Sequence, residues 1–324
     1  MKLDLIFSIG PACRPAYYLK INFLRIFACP LDWQMNYSLD TCLDLFRTNF
    51  QTFFSEIQEN THKKGAHNNR RIIDTFNSII SIHHFDMDTP IAKAHADFRS
   101  VMTKRYEQLH NAILKSHTVG LICNRDDTLD DLSAFLLSFG QIYPNIKFVL
   151  INIRTKEGTD SISMNEYKIN SLLTIREYAF CDRYTGAEYG DQRTWIGNFD
   201  AWNNVLQDYY LNEHPFASYV EHAVSTNQSI HLYGAGVYCR KIIHFLAKYN
   251  LEISDIIVTH AENNPDSIGE IPVITYRQVT EQYHTDLIII SIVNQEESLN
   301  IYHMLKLHGF QSVIRVDPLL RIIP

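Results

Sequence analysis

The sequence predicts an α/β fold in two modules, residues 1–225 and residues 226–324. Three observations carry that expectation. Short apolar, β-branched runs alternate with segments of helical spacing along most of the chain, the pattern of α/β layers. The strands of the second module are apolar throughout, as strands of a parallel sheet covered on both faces are. A regular strand, glycine turn and helix begin at Ser229, after an irregular stretch over residues 155–228.

The elements follow in order. Residues 3–9 read as a strand, broken by Gly10 and Pro11, with a helix from Cys13 to about Phe23. Asp40 to Ile57 carries Leu43, Phe46, Phe50, Phe53, Phe54 and Ile57 at helical spacing. Asn60 to Asn69 is polar and loop-like, and Ser78 to Phe85 is apolar and β-branched enough for a strand. A helix over 92–115, a buried strand over 119–123, a helix over 129–139 and a strand over 147–153 complete the regular part. The stretch 155–228 holds Gly186, Gly190 and Gly197 with Trp195 and Trp202, and predicts loops followed by helices around 199–225. In the second module, residues 229–233 read as a strand, Gly234-Ala235-Gly236 as a tight turn, 237–249 as a helix and 253–259 as a strand. Pro272 to Ile274 is extended, 276–283 helical, 286–293 a long strand, 296–308 a helix capped by Gly309, and 313–316 a last strand.

Composition excludes several classes. Hydrophobic residues make up 46% and charged residues 20% of the 324, a globular balance. A net charge of −7 argues against a nucleic-acid partner, which needs a basic face. His62-Lys63-Lys64 and Arg70-Arg71 read as a solvated face. Six cysteines without a CxxC pair give neither a disulfide scaffold nor a zinc ribbon, and fit free thiols in a reducing cytoplasm. Asp4 interrupts the first apolar run, so it is not a signal peptide. No run approaches the ~20 apolar residues of a membrane span. A cytoplasmic protein is expected.

Gly234-Ala235-Gly236 follows a strand and opens a helix, the context in which a backbone turn admits a phosphate to helix N–H groups. Gly234 and Gly236 are therefore candidates for binding a nucleotide or sugar nucleotide. The dinucleotide pattern is incomplete: Cys239 takes the third glycine position, and His260 stands where an acid would meet a ribose. Glu262 and Asp266 are the nearest acids, and a turn kept for packing alone is the alternative. Tyr233 to Gly236, Gly269 to Ile274, Asp286 to Ser291 and Leu307 to Phe310 resemble the Rossmann-like modules of sugar-nucleotide-modifying and surface-polysaccharide proteins. No redox cofactor is expected.

In the first module, Cys13 sits between a strand and a helix. A helix N-terminus favours thiolate, so its pKa is expected to fall. Pro30-Leu31-Asp32-Trp33 makes a short shaped loop, with Asp32 and Trp33 as candidate pocket wall. His83 and His84 end the strand expected before Phe85, where a histidine can meet the cysteine. A buried structural cysteine and an unpartnered histidine are the competing readings, since the chain holds 15 histidines.

Residues 8–16, Pro30 to Trp33, His83-His84-Phe85 and Lys104-Arg105-Tyr106, together spanning about residues 3–155, resemble the bacterial family described as papain-like cysteine peptidases. The resemblance implies Cys13 as nucleophile and His83 as base, from the His-x-Phe pattern. Leu31 stands where that family usually has Phe, and His84 where it usually has Asp, which makes His84 a rival base or a substrate-contacting residue. Asp126, Asn124 and Asn152 are candidates for the group that orients the imidazole. The implied chemistry is acyl transfer from a small-molecule, peptide or saccharide substrate to water, a sugar hydroxyl or an amine, with no cofactor. Two other classes compete: a non-catalytic binder of a nucleotide or sugar nucleotide, and a metal hydrolase. Histidines 62, 67, 83, 84 and 95 are numerous, but no HExxH or close Cys/His set appears, so no metal is expected.

Overall fold

The computed structural model describes residues 1–158, 161–183, 194–317 and 320–323; Gly186 and Gly190 lie outside them. The chain divides into two compact units, Met1–Asn212 and Glu213–Pro324. Helix Pro215–Ser225 goes with the second unit, so the division falls before the 225/226 boundary read from the sequence.

The first unit is built on strands β1 (Leu5–Ser8), β2 (Thr118–Cys123), β3 (Lys147–Thr155), β4 (Ser163–Lys168) and β5 (Leu173–Phe180). Their order is β1-β2-β3-β5-β4. β1, β2, β3 and β5 pair in parallel, and β4 closes the edge antiparallel to β5. Strand alternation sorts the side chains onto two faces. Leu5, Phe7, Val119, Leu121, Phe148 and Leu150 pack on α2 (Leu39–Arg47), α3 (Ile91–Lys115) and α4 (Leu129–Ile142). Ile6, Ile122, Val149 and Ile151 pack on α1 (Cys13–Ile21) and α5 (Phe199–Leu206). A small antiparallel sheet, in the order Gln34–Met35, Ile80–Ser81, Ile72–Asp74, Ile57–Glu59, lies between α1 and α3 in sequence.

Two expectations for this unit are corrected. The helix expected over 40–57 ends at Arg47, because Asn49, Phe50 and Phe54 take φ of 53°, 57° and 48°. Phe50, Phe53 and Phe54 are still buried, so their spacing reflects burial in successive turns and not a continued helix. Only Ile80–Ser81 of residues 78–85 pairs as strand, which leaves His83 and His84 on the turn that follows.

In the second unit, α6 (Pro215–Ser225) precedes β6 (Ile230–Tyr233), α7 (Val237–Ala247), β7 (Asp255–Val258), β8 (Ile271–Thr275), β9 (Leu287–Ile290), α8 (Gln295–Leu307) and β10 (Ser312–Val316). β8-β7-β6-β9-β10 pair in parallel, with Ser267–Ile268 and Ile322–Ile323 as antiparallel edges. The apolar strands and the parallel sheet agree with the sequence expectation. The helix expected over 276–283 is instead two short turns of 3₁₀ helix, Tyr276–Gln278 and Glu281–His284.

Among the described residues, no helix is long and apolar enough to cross a membrane.

Candidate active site

β1 delivers the chain to a constrained turn. Ile9 N–H donates to Ile122 O at 2.9 Å, and Gly10 takes φ +62°. A Cβ on Gly10 would lie 1.9 Å from Tyr37 Oη, so only glycine fits there. Cys13 then becomes the first residue of α1. The N-cap, Ala12, supplies no side-chain acceptor, which leaves the first-turn N–H groups of Cys13 and Arg14 without a capping side chain; Pro15 has no N–H.

From the turn after Ile80–Ser81, His83 reaches the same place. Its Nε2 lies 3.6 Å from Cys13 Sγ. Its ring meets Trp33 edge-on, with centroids 5.6 Å apart and planes at 72°. Trp33 holds φ +66°, a left-handed conformation that costs a bulky residue about 1–3 kcal/mol.

Burial sets the electrostatics of this pair. It pushes the Cys13 thiol up to about 11, with the residue's own backbone N–H pulling the other way. Burial and then the neighbouring His67 lower the His83 imidazole below its ordinary value. The pair therefore rests as thiol and neutral imidazole. This corrects the expectation of a lowered cysteine pKa: desolvation outweighs the helix N-terminus.

The other candidate residues are placed as follows. His84 turns inward, with Nδ1 3.0 Å from Ser81 Oγ, and meets Phe98 edge-on at 5.4 Å. Burial pushes it down to about 4. It pairs with Ser81 and not with Cys13. Asp32 is 1% exposed and accepts from Arg25 Nη1 and from the Cys29 N–H, both at 2.9 Å. It braces its loop instead of lining a pocket. Asp126 is exposed, and its charge acts on Arg154. Asn124 donates to Ile153 O at 3.3 Å, and Asn152 clasps the Arg125 backbone through N–H and C=O, each at 3.1 Å. The two asparagines tie the end of β2 to β3. Among the described residues, none of Asp126, Asn124 and Asn152 hydrogen-bonds His83.

Three further residues shape the site. Arg125, 6% exposed, donates from Nη2 to Ile9 O at 3.2 Å and to Tyr37 O at 3.0 Å, fixing both sides of the Gly10 turn. Nothing in the sequence separates it from other arginines. Asp182 accepts from Arg14 Nη1, from the Asn198 N–H at 2.9 Å and from Trp202 Nε1 at 2.9 Å. Gly197, at φ +72°, is tied to that carboxylate, because a Cβ there would lie 2.2 Å from Asp182 Oδ1. Arg14 Nε donates to Trp195 O at 2.7 Å, and the Trp195 ring lies 5.0 Å from Tyr17 and 6.2 Å from Trp33. The grouping of Gly197, Trp195 and Trp202 was the sequence signal for this network.

Among the described residues, no group of three or more histidine, cysteine or acidic side chains could hold a metal ion. In the second unit, a cleft of about 670 Å³ opens where β6 and β9 end. Gly234, Gly236, Glu262, Ser291, Asn294 and Glu297 are among its walls, and no Lys or Arg is. It sits where the strand order reverses, the usual place for ligands in open parallel sheets.

Residues 4–122 match the model of a family described as "Putative papain-like cysteine peptidase (DUF1796)". The matched segment contains Cys13 and His83 and stops near the end of β2, short of the extent to residue 155 expected from the motifs. Arg125, Asp182 and Trp195 lie beyond it. No curated protein and no solved structure matches the chain.

Proposed function

We propose that the first unit is a cysteine-dependent acyl-transfer enzyme of peptidase type, with Cys13 as nucleophile and His83 as general base. The observation that carries this reading is the 3.6 Å approach of Cys13 Sγ to His83 Nε2 at a helix N-terminus. His83 Nε2 accepts the thiol proton as Sγ attacks a carbonyl carbon. The Cys13 and Arg14 N–H groups donate to the oxyanion. His83 then protonates the leaving group, and a thioester remains on Cys13. Water as acceptor makes this a hydrolase. A sugar hydroxyl or amine makes it an acyltransferase.

The test is alkylation by iodoacetamide, read by peptide mapping. Cys13 should label faster than half-buried Cys181, and His83→Ala should slow labelling about tenfold or more at neutral pH. Equal rates at Cys13 in wild type and His83→Ala, or a Cys13→Ala protein with undiminished turnover, would overturn the assignment.

The second-unit cleft supports a separate ligand-binding role. Its volume suits a nucleoside or sugar nucleotide, within the range of about 300–1,000 Å³ for small-molecule sites. A Cβ on Gly236 would meet nothing within 4 Å, so the backbone admits a side chain there and Gly236→Leu is the variant chosen to fill the cleft. A sugar nucleotide at ~100 times its Kd should stabilise wild type by about 2.7 kcal/mol in a thermal-shift assay and leave Gly236→Leu unmoved. A panel of nucleosides and sugar nucleotides that leaves the wild-type Tm unchanged would remove this role.

A further inference from the structure

The aromatic rings around Cys13 form a closed circuit. Cys13 Sγ touches His83 at 3.6 Å, and His83 meets Trp33 at 5.6 Å. Trp33 meets Trp195 at 6.2 Å, and the Trp195 carbonyl accepts from Arg14 Nε at 2.7 Å. Arg14 is bonded to Cys13, which closes the ring. Trp195 is 41% exposed, and its planes with Trp33 and Tyr17 stand at 66° and 74°. Two indoles, set edge to face, are thus linked to the thiol through His83 on one side and Arg14 on the other, with surface left open on Trp195.

We propose that Trp33 and Trp195 form the acyl subsite of this centre, and that it takes a substrate with an apolar or aromatic group next to the reacting carbonyl. This rests on the acyl-transfer reading and adds the substrate class. The choice against a hydroxyl-rich group follows from Arg14, Asp182 and Asn198, which among the described residues are engaged with one another and with backbone. Arg14 holds Asp182 and the Trp195 carbonyl, and Asp182 also holds the Asn198 N–H and Trp202 Nε1. Asn198 gives its amide to Cys181 O, and Asp32, 1% exposed and therefore out of a ligand's reach, has its Oδ2 held by Arg25 and the Cys29 N–H. A sugar face would stack on the indoles but find its hydroxyls without these partners, whereas an apolar group needs only the rings.

The test separates the subsite from the chemistry. Binding of 4-phenylbutyramide to full-length Cys13→Ala protein is followed by tryptophan emission; the chain has only three tryptophans, and Trp202 is buried. Saturable binding is expected, weakened about tenfold or more by a further Trp195→Ala and kept by Trp195→Phe. Circular dichroism checks the fold of each variant. In parallel, p-nitrophenyl acetate and p-nitrophenyl 4-phenylbutyrate are compared on protein with Cys13 intact. The longer ester should be favoured in kcat/KM, and Trp195→Ala should erase the preference. Amide binding that depends on Trp195, without turnover of either ester, would uphold the subsite and defeat the acyl-transfer reading. Turnover of both esters with equal kcat/KM in wild type would do the reverse. Absence of amide binding, or preferential binding of a methyl glycoside, would overturn the subsite.

Discussion

At the scale of single residues, the resting protonation state of the Cys13–His83 pair determines the pH behaviour. His83 is lowered below its usual 6.5, so its basic form is complete at neutral pH and is lost only as pH falls through a value below 6.5. Cys13 keeps its proton until about 11. For p-nitrophenyl ester hydrolysis we expect kcat/KM to fall on an acid limb below pH 6.5 and to hold steady through pH 7–9. In His83→Ala, alkylation of Cys13 should climb steadily toward pH 11. A wild-type alkylation profile already saturated at pH 6 would mean a preformed thiolate–imidazolium pair and would contradict the neutral state. The position of Cys13 was legible because Gly10 and Pro11 end a strand immediately before a helical segment. The direction of its pKa was not, because burial depends on packing with distant segments such as the turn that carries His83. Choosing between His83 and His84 likewise needed the turn that points one outward and the other at Ser81.

At the scale of elements, apolar strands were read well and charged strands poorly. β9 is uninterrupted Leu and Ile, and β2, β3 and β6 remain mostly apolar around Gly120, Asn152 and His231. β5 was read as loop because Arg176 and Glu177 interrupt it, yet both charges are answered across the sheet. Arg176 pairs with Glu166 on β4 at 2.8 Å, and Glu177 with Arg154 on β3 at 2.8 Å. Cross-strand partners of this kind are invisible until register is known. The overlong helix after Asp40 failed for a related reason. Aromatic residues at helical spacing satisfy burial equally well when successive turns present them, as Phe50 and Phe54 do at positive φ. Arg125 shows the same limit from the functional side. Its importance lies in two carbonyls, Ile9 and Tyr37, contributed by distant segments.

At the scale of the whole molecule, an imidazole depressed by burial in each unit makes stability pH-dependent. His84 in the first unit and His214 in the second are each pushed by burial down to about 4. His214 Nδ1 accepts the Phe216 N–H at 3.2 Å and caps α6, a role that only the unprotonated nitrogen can fill. In the unfolded chain these groups titrate near 6.5, so between pH 6.5 and about 4 the unfolded state binds protons that the folded state refuses. The folded pKa is the depressed one, so stability is lost as pH falls through that window, by up to about 3 kcal/mol per histidine. Calorimetry at pH 7 and pH 4.5 should show a lower Tm in acid, and His214→Asn, which keeps a capping acceptor, should reduce the shift. Equal Tm at the two pH values would refute this. The strand–helix alternation behind the two-unit layout was readable from the sequence. The place of division was not, because helix Pro215–Ser225 has no feature of its own to say which sheet it accompanies.

The half-buried thiol of Cys13 also governs how the protein meets oxidants. Peroxides react with thiolates, and sulfenic acid is the first step of a ladder whose later rungs are irreversible. A sulfur that keeps its proton up to about pH 11 stays off that ladder while idle. It is armed when His83 takes the proton as the sulfur attacks a carbon electrophile. Catalytic readiness and chemical durability are thereby held by the same 3.6 Å contact.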